Sequence, residues 1–209
     1  MKTTISFLAV AFCAISFLSA QLVPPSIHWQ NTIGGSGTDF LFSIQQTSDG
    51  GYILGGTSES NISGDKTENS LGGKDFWVVK LNDMGVIQWQ NTIGGNNLDE
   101  LAGLQQTLDG GYILGGTSYS DISGDKTENS NGLYDYWVVK LDVAGTIQWQ
   151  NTIGGFRDDE LSCVRQTSDG GYILGGSSIS DISCDKTKNS WVRWSNFSAH
   201  KTLLNLCQD

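Results

Sequence analysis

Short runs of alternating apolar and polar residues recur along this chain and predict β-strands. The sequence DYWVVKL at residues 135–141 places Trp137, Val139 and Leu141 on one side of an extended segment. The sequence IQWQNTI at residues 147–153 alternates in a similar way. A period of two residues is typical of a strand with one buried face, because successive side chains of a strand point to opposite sides. No helix of useful length is predicted in the repeated part of the chain.

The strand pattern returns every 60 residues. The sequence WQNTIGG begins at Trp29, Trp89 and Trp149, and residues 29–88 match residues 89–148 at 42 of 60 positions. A fixed period of this size is the signature of a repeat protein, in which neighbouring units together bury a continuous core.

Each period contains about four predicted strands. In the second copy they span residues 99–107, 112–118, 135–141 and 147–153. Glycine pairs after the first strand favour a tight turn, because glycine tolerates backbone angles that strain other residues. The polar run at residues 121–131 has no period and predicts a loop.

These features predict an all-β, propeller-like array of four-stranded antiparallel repeats of 60 residues. Blades of about four strands stack in propellers, and stacking is needed because one blade cannot bury its own apolar faces. A β-solenoid or an elongated array of β-sandwiches is the alternative architecture, although the coils of a solenoid are usually shorter than this repeat.

Residues 1–20 have the pattern of a secretory signal peptide. Lys2 precedes an apolar stretch, Ile5–Leu18, and Ala20 ends a small-residue cleavage site. The stretch is shorter than the roughly 20 residues that span a bilayer. We therefore predict a secreted or outer cell-surface protein that does not insert into a membrane after the signal is removed.

The predicted array covers residues 21–190, and it includes a strand of the last type at Ile27–Ile33. After Ser190 the pattern stops, and residues 191–209 form an aberrant tail that lacks the expected third-strand sequence. We expect a truncated or frameshifted piece of a longer array, which forms an incomplete or open arc. The bare strand edges of such an arc favour self-association.

Charge excludes some classes of partner. The 209 residues carry a formal net charge of −10, from 22 acidic and 12 basic residues. This balance argues against nucleic acid, since phosphate binding depends on clustered Lys and Arg. It also argues against anionic membrane surfaces and leaves divalent cations as candidate partners.

The polar GDKTENS loops contain candidate calcium ligands. Calcium takes six to eight oxygen ligands from carboxylates, amides, carbonyls and water, and acceptors alternate in these loops. The alternative is a solvated loop whose Asp and Asn side chains bond the nearby backbone. The candidate ligands in the first two copies are Asp65, Asn69, Asp75, Asp125, Asn129 and Asp135.

Other recurrent positions are interpreted as structural. The TSDGG sequence at residues 47–51 resembles the first half of the Asp-box turn of sialidase-type propellers, but the closing Thr and Trp are missing. Asp99 and Glu100 point to opposite faces of a strand, so they do not form an acid–base pair. We assign no catalytic and no cofactor-binding residue. The tryptophans that recur with the period favour core packing over sugar stacking; they are Trp29, Trp77, Trp89, Trp137 and Trp149.

Cysteine usage does not indicate a disulfide framework. A framework would recur with the repeat, whereas Cys163 and Cys184 occur in the third copy alone. A single disulfide between these two residues is the alternative.

The repeat resembles a family of tandem repeats. The motifs WQNTIGG, QQT-DGGYILGGTS, GDKTENS and D-WVVKL are similar to those of secreted and cell-surface proteins of Bacteroidota, many of which carry a C-terminal sorting domain for type IX secretion. The resemblance covers about residues 27–190. It implies a propeller-like fold, export and no established catalytic activity, and no sorting-domain sequence follows the array here.

Together these features predict an exported, non-catalytic β-repeat protein that acts as a binding or structural module, with a protein or a glycan as its partner. One alternative is a fragment of a propeller-type glycan hydrolase or lyase. Another is the product of a gene remnant without a function of its own.

Overall fold

The computed structural model describes residues 26–187 and the backbone of residues 201–206. These ranges contain eleven strands and no helix, so the all-β prediction is confirmed. No helix with the length and hydropathy of a membrane span occurs in them either. In chain order the strands are β1 (Asp39–Gln46), β2 (Tyr52–Ser58), β3 (Asp75–Leu81), β4 (Ile87–Ile93), β5 (Asp99–Gln106), β6 (Tyr112–Ser118), β7 (Asp135–Leu141), β8 (Ile147–Ile153), β9 (Asp159–Gln166), β10 (Tyr172–Ser178) and β11 (Lys201–Leu206).

The strands form three antiparallel sheets, one for each copy of the repeat. The first sheet has the order β1-β2-β3-β4, the second β5-β6-β7-β8, and the third β11-β10-β9. Within each sheet, every strand pairs with the next one along the chain, as in the blade of a propeller. The described sheets do not close into a barrel, and the prediction of an open, propeller-like array of four-stranded repeats is confirmed.

The two ends of the array differ from the sequence prediction. Ile27–Ile33 is not a strand, because no described segment pairs with it. Residues 201–206 do form a strand, although their sequence lacks the third-strand pattern. Leu206 lies opposite Tyr172, as Leu81 lies opposite Tyr52 in the first sheet. The predicted signal peptide, residues 1–20, lies outside the described residues.

The core lies between the sheets. We call the side of a sheet that is turned toward the preceding repeat its front face, and the opposite side its back face. Gly55 leaves room on the back of the first sheet, because a Cβ atom there would lie 2.7 Å from Leu101 and 3.1 Å from Leu104. Burial of each large apolar side chain stabilises the fold by about 1.5–3 kcal/mol. The first interface is formed by Ile53, Phe76, Val78 and Ile93 against Leu101, Leu104, Tyr112, Leu114, Trp137, Val139 and Leu141.

The second interface repeats the first. A Cβ atom on Gly115 would lie 2.6 Å from Leu161, so glycine again makes room for the next sheet. This agrees with the sequence argument that one repeat has no interior of its own. The residues of the second interface are Ile113, Tyr136, Val138 and Ile153 against Leu161, Val164, Tyr172 and Leu174.

Side-chain hydrogen bonds fix the offset between neighbouring sheets. The Asn91 side chain of β4 donates to the Gly145 carbonyl at 2.7 Å. The Gln45 side chain accepts from the Gln106 backbone N–H at 2.8 Å, and Gln105 repeats this bond one sheet later. Asn91 breaks the apolar pattern of its strand, and this bond satisfies it inside the interface.

Cys163 and Cys184 are both free and exposed, so the alternative of a single disulfide between them is wrong. Cys184 occupies a left-handed backbone conformation with φ of 49°, where the first two repeats have Gly64 and Gly124. Its presence there is a local departure from the repeat.

Candidate functional site

The calcium candidates of the polar loops serve to hold the loop backbone. Asn69 accepts from the Ile62 N–H at 3.2 Å, and Asn129 accepts from its own loop in the same way. Asp65 accepts from the Gly34 N–H at 3.2 Å, a bond that ties the loop to the segment before β1. Asp125 accepts from the corresponding Gly94 N–H at 3.3 Å.

The last candidate of each loop, Asp75 or Asp135, is fully buried at the start of a strand. Asp75 accepts from the Leu71 N–H at 2.7 Å, and Asp135 accepts from the Asn131 N–H at 2.6 Å. Burial raises the pKa of Asp135, although hydrogen bonds from the loop backbone oppose it. The second carboxylate oxygen of each residue is buried without a hydrogen-bond partner.

The structure therefore ties the six candidates to different backbone groups and does not bring them together around one point. Within residues 26–187 no group of three or more His, Cys, Asp or Glu is arranged to hold a metal ion. Calcium binding stays a prediction. A rise in melting temperature on calcium titration would support it, because a ligand of the native state stabilises that state.

The loop lysines were missed by the sequence argument. Lys126 is 1% exposed, and its ammonium group donates to Thr152 at 2.7 Å and to the Glu128 carbonyl at 2.8 Å. It lies 5.9 Å from the centre of the Trp137 ring. Burial lowers the pKa of Lys126, and nearby carboxylates, Asp99 first among them, oppose this. A solvated loop is thus the wrong description at this position, which holds a buried cation.

The aspartates of the TSDGG turns hold the turn backbone, which is the structural role that the sequence indicates. Gly111 donates its N–H to Asp109 at 3.0 Å, and the ammonium group of Lys140 lies 2.9 Å from the same carboxylate. Burial tends to raise the pKa of Asp109. Hydrogen bonds from Thr107, Lys140 and Gly111 outweigh it and lower the pKa to about 2. Asp49 forms the same turn and the same ion pair with Lys80.

The adjacent acids at the start of β5 are separated by the strand pleat. Asp99 is buried and accepts from the Gly95 N–H at 2.6 Å. Glu100 is exposed and pairs with Lys74 at 2.7 Å. The two carboxylates do not face a common substrate. His28 is exposed, and His200 lies outside the described residues.

Most of the recurrent tryptophans pack in the core. Trp77 and Trp137 are buried, and Trp89 and Trp149 pack against the interface clusters. Trp29 is 37% exposed. The preference for core packing is confirmed for the first four.

A polar groove crosses the ends of the first strands, where the TSDGG turns lie. Its volume is about 530 Å³. Gln106 and Gln166 bridge the sheets beside it, because each accepts from a turn N–H of the preceding sheet at 2.8 Å. Residues with amide or hydroxyl side chains are the most numerous in the lining, and their aliphatic parts also face the groove. The lining consists of Gln45, Ser48, Gln105, Gln106, Thr107, Leu108, Gly110, Gln166, Thr167 and Ser168.

A second groove of about 290 Å³ adjoins the first between the first two sheets, and the two share Ser48, Gln106 and Gly110. It also contains the Asp49–Lys80 ion pair and the edge-to-face pair of Trp89 and Tyr112, whose ring centres are 5.7 Å apart. We call the two together the turn-end grooves. No local sequence pattern predicts them, because their lining comes from three repeats.

Comparison with known proteins adds no further constraint on function. No protein-family model matches the chain, and no curated protein matches it.

Proposed function

We propose that this chain is an exported, non-catalytic binding module of the cell surface or secretome that holds a neutral polar ligand, such as a glycan, in the turn-end grooves. The observation that carries the proposal is the lining of the larger groove, which combines amide, hydroxyl and backbone groups from three successive sheets. Such groups donate to and accept from sugar hydroxyls.

The charges near the grooves support a neutral ligand. Asp49 and Lys80 lie 2.9 Å apart and compensate each other, and the larger groove has no charged residue in its lining. The net charge of −10 also disfavours a polyanionic ligand.

The repetition of the groove supports an extended ligand. Ser48, Leu108 and Ser168 occupy equivalent turns, 60 residues apart, and all three line the same groove. A polymer of similar sugar units can therefore make the same contact with successive sheets. The volume of about 530 Å³ also falls in the range of ligand pockets.

Export is supported by the sequence of residues 1–20, and the resemblance to Bacteroidota surface repeats is consistent with it. Detection of the protein, processed near Ala20, in culture supernatant or on the cell surface would test this part. Full retention in the cytoplasm would contradict it.

Binding is tested with the full chain on a panel of neutral and acidic glycans. Leu108→Arg places a bulky charge at the groove, at a side chain that is 80% exposed, so the fold should tolerate it. Ile122→Arg is the matched control, because Ile122 is 61% exposed and lies in the polar loop at the opposite end of the sheet. We expect a neutral glycan to bind, Leu108→Arg to abolish binding and Ile122→Arg to preserve it.

Absence of binding across the panel, or equal loss in both variants, would overturn the proposal. Turnover of a glycan would favour the hydrolase or lyase alternative instead.

A further inference from the structure

The segment Ile27–Ile33 has the sequence of a fourth strand and makes the contacts of one with the sheet that follows it. It differs from β4 only at His28, where β4 has Gln88. Trp29 meets Tyr52 edge to face at 5.5 Å, as Trp89 of β4 meets its counterpart at 5.7 Å.

The polar contact of this segment is repeated as well. Asn31 donates to the Gly85 carbonyl at 3.1 Å, as Asn91 donates to Gly145 at 2.7 Å. The segment thus sits on the front of the first sheet in the same way as β4 sits on the second. Within the described residues, no strand pairs with it.

The third sheet has three described strands and an unpaired edge at β11. It contains β9, β10 and β11, and no described strand pairs with the free edge of β11. β11 takes the same register against β10 as β3 takes against β2, since Thr202 lies opposite Gly176 and Trp77 lies opposite Gly56. In the first sheet, Trp77 also lies opposite Thr92 of β4. An incoming fourth strand in this register would place Thr32 opposite Thr202.

The front face of the first sheet is bare where the equivalent faces are covered. Leu41 and Ile44 are 58% and 60% exposed, whereas Leu101 and Leu104 of the second sheet are 2% and 3% exposed. A cavity of about 190 Å³ lies beside Gly56 on this face. At the equivalent Gly116 the Phe76 ring of the preceding sheet fills that place.

At the opposite end of the array, the back face of the third sheet is exposed. Ile173 on the back of the third sheet is 38% exposed, whereas Ile113 at the same position of the second sheet is fully buried. In the part of the chain that the structure describes, no sheet covers the first of these surfaces and none covers the second.

We infer that two copies of this chain associate head to tail. Residues 27–33 of each copy add to β11 of the other as its fourth strand, and the back of that third sheet covers Leu41 and Ile44. The interface between the first two sheets of one chain is the template for this contact. Two such contacts about a two-fold axis bring together six sheets, which lies within the four to eight of closed propellers. This association does not depend on the ligand proposed above.

One bond of the template has no counterpart in the contact between copies. Gln45 and Gln105 accept an N–H from the next sheet, but Arg165 stands at that position of the third sheet and has no acceptor. Arg165→Gln restores the acceptor for Gln46 of the other copy. We expect it to tighten the dimer by about three-fold to ten-fold.

Sedimentation of the full chain across a dilution series tests the inference. We expect a dimer that dissociates on dilution. Leu41→Asp should leave a folded monomer, because Leu41 is already exposed within one chain. Ile62→Asp, at a residue that is 61% exposed in the polar loop, is the control and should still dimerise. Circular dichroism of each variant checks that the fold is kept.

Cross-linking tests the register. With the native cysteines changed to serine, a mixture of Thr32→Cys and Thr202→Cys chains should form a disulfide between copies, and neither variant alone should do so. A monomer at all concentrations, a dimer insensitive to Leu41→Asp, equal disruption by Ile62→Asp, or absence of the mixed disulfide would overturn the inference.

Discussion

The middle repeat and the outer repeats have nearly the same strands but different surroundings. Leu101 is 2% exposed, whereas Leu41, the same residue one repeat earlier, is 58% exposed. The difference arises because the second sheet has a neighbouring sheet on its front face, whereas the described residues on the front of the first sheet are 27–33. Burial in this molecule is therefore set by the neighbouring repeat, and equal sequences differ in how much they stabilise the fold.

The loops show the same contrast on the other side. Lys126 of the middle repeat is buried against Thr152, whereas the side chain of Lys186 in the third repeat is 12% exposed and lies 3.8 Å from Asp159. Thr152 belongs to the fourth strand of the middle sheet, and the described part of the third sheet has no such strand. The comparison predicts a gradient of mutational effects.

The largest effect is expected at the buried ammonium group. Lys126→Met leaves the Thr152 hydroxyl and the Glu128 carbonyl without their buried donor, and each buried polar group left unsatisfied costs about 1–3 kcal/mol. Lys186→Met should cost clearly less, because that group is closer to solvent. Urea unfolding of both variants measures the difference. Equal losses would mean that position in the array does not matter for this residue.

The second effect concerns the apolar faces. Leu101→Ala removes a side chain from the first interface and should cost about 3 kcal/mol. Leu41→Ala, at low protein concentration, should change stability by less than about 0.5 kcal/mol, as exposed substitutions usually do. Urea unfolding of the two variants measures both losses of stability. A large loss of stability for Leu41→Ala in a monomer would contradict the claim that the neighbouring repeat sets the contribution of each residue.

A smaller effect is expected at the left-handed position of the loop. The N–H that follows Cys184 lies 3.3 Å from the Gly154 carbonyl, whereas the equivalent bonds after Gly64 and Gly124 are 2.9 Å long. A Cβ atom at Gly124 would lie 2.5 Å from the Gly94 carbonyl, and this crowding accounts for the longer bond.

Cys184→Gly should therefore stabilise the protein by about 1 kcal/mol, and Gly124→Ala should destabilise it by about the same or more. Thermal unfolding monitored by circular dichroism would show shifts of opposite sign. A stabilised Gly124→Ala variant would contradict the steric explanation.

The smallest effect depends on pH. Asp109 has a folded pKa of about 2, below its ordinary value of 3.8, so its ionised form is favoured by folding. Its contribution is present above pH 3.8 and is lost as the pH falls toward 2.

Asp109→Asn should lower stability by less than about 1 kcal/mol near neutral pH. The variant and the original protein should converge as the pH falls through the folded pKa of about 2. Asp169→Asn is the comparison in the third repeat, where Asn205 stands opposite Ile173 at the register position that Lys140 holds opposite Ile113. We expect a smaller difference there. A constant difference across the whole pH range would contradict the electrostatic origin.

Much of the fold could be predicted from local patterns. The alternation in Asp135–Leu141 predicts a strand, and the structure has a strand with those bounds. Repetition at a fixed interval then predicts that equivalent strands stack. Ile27–Ile33 shows the limit of this reasoning, because a strand also needs a partner, and pairing is not a property of the segment itself.

The polar positions were harder to predict for the same reason. The local sequence predicts a surface position for Lys126, because its partner Thr152 is 26 positions away and belongs to a different element. The lining of the turn-end grooves comes from residues 60 positions apart, so no local motif announces it. The calcium candidates look like a ligand set in sequence, but their oxygens accept from separate backbone groups.

The hydrogen bonds between sheets have a consequence for how the gene can change length. Between residues 26 and 187 they join adjacent repeats, such as Asn91 with Gly145 and Gln45 with Gln106. Insertion or loss of one whole 60-residue block by unequal recombination therefore places equivalent positions of two repeats next to each other at each junction. Copy number can drift without any new contact having to evolve.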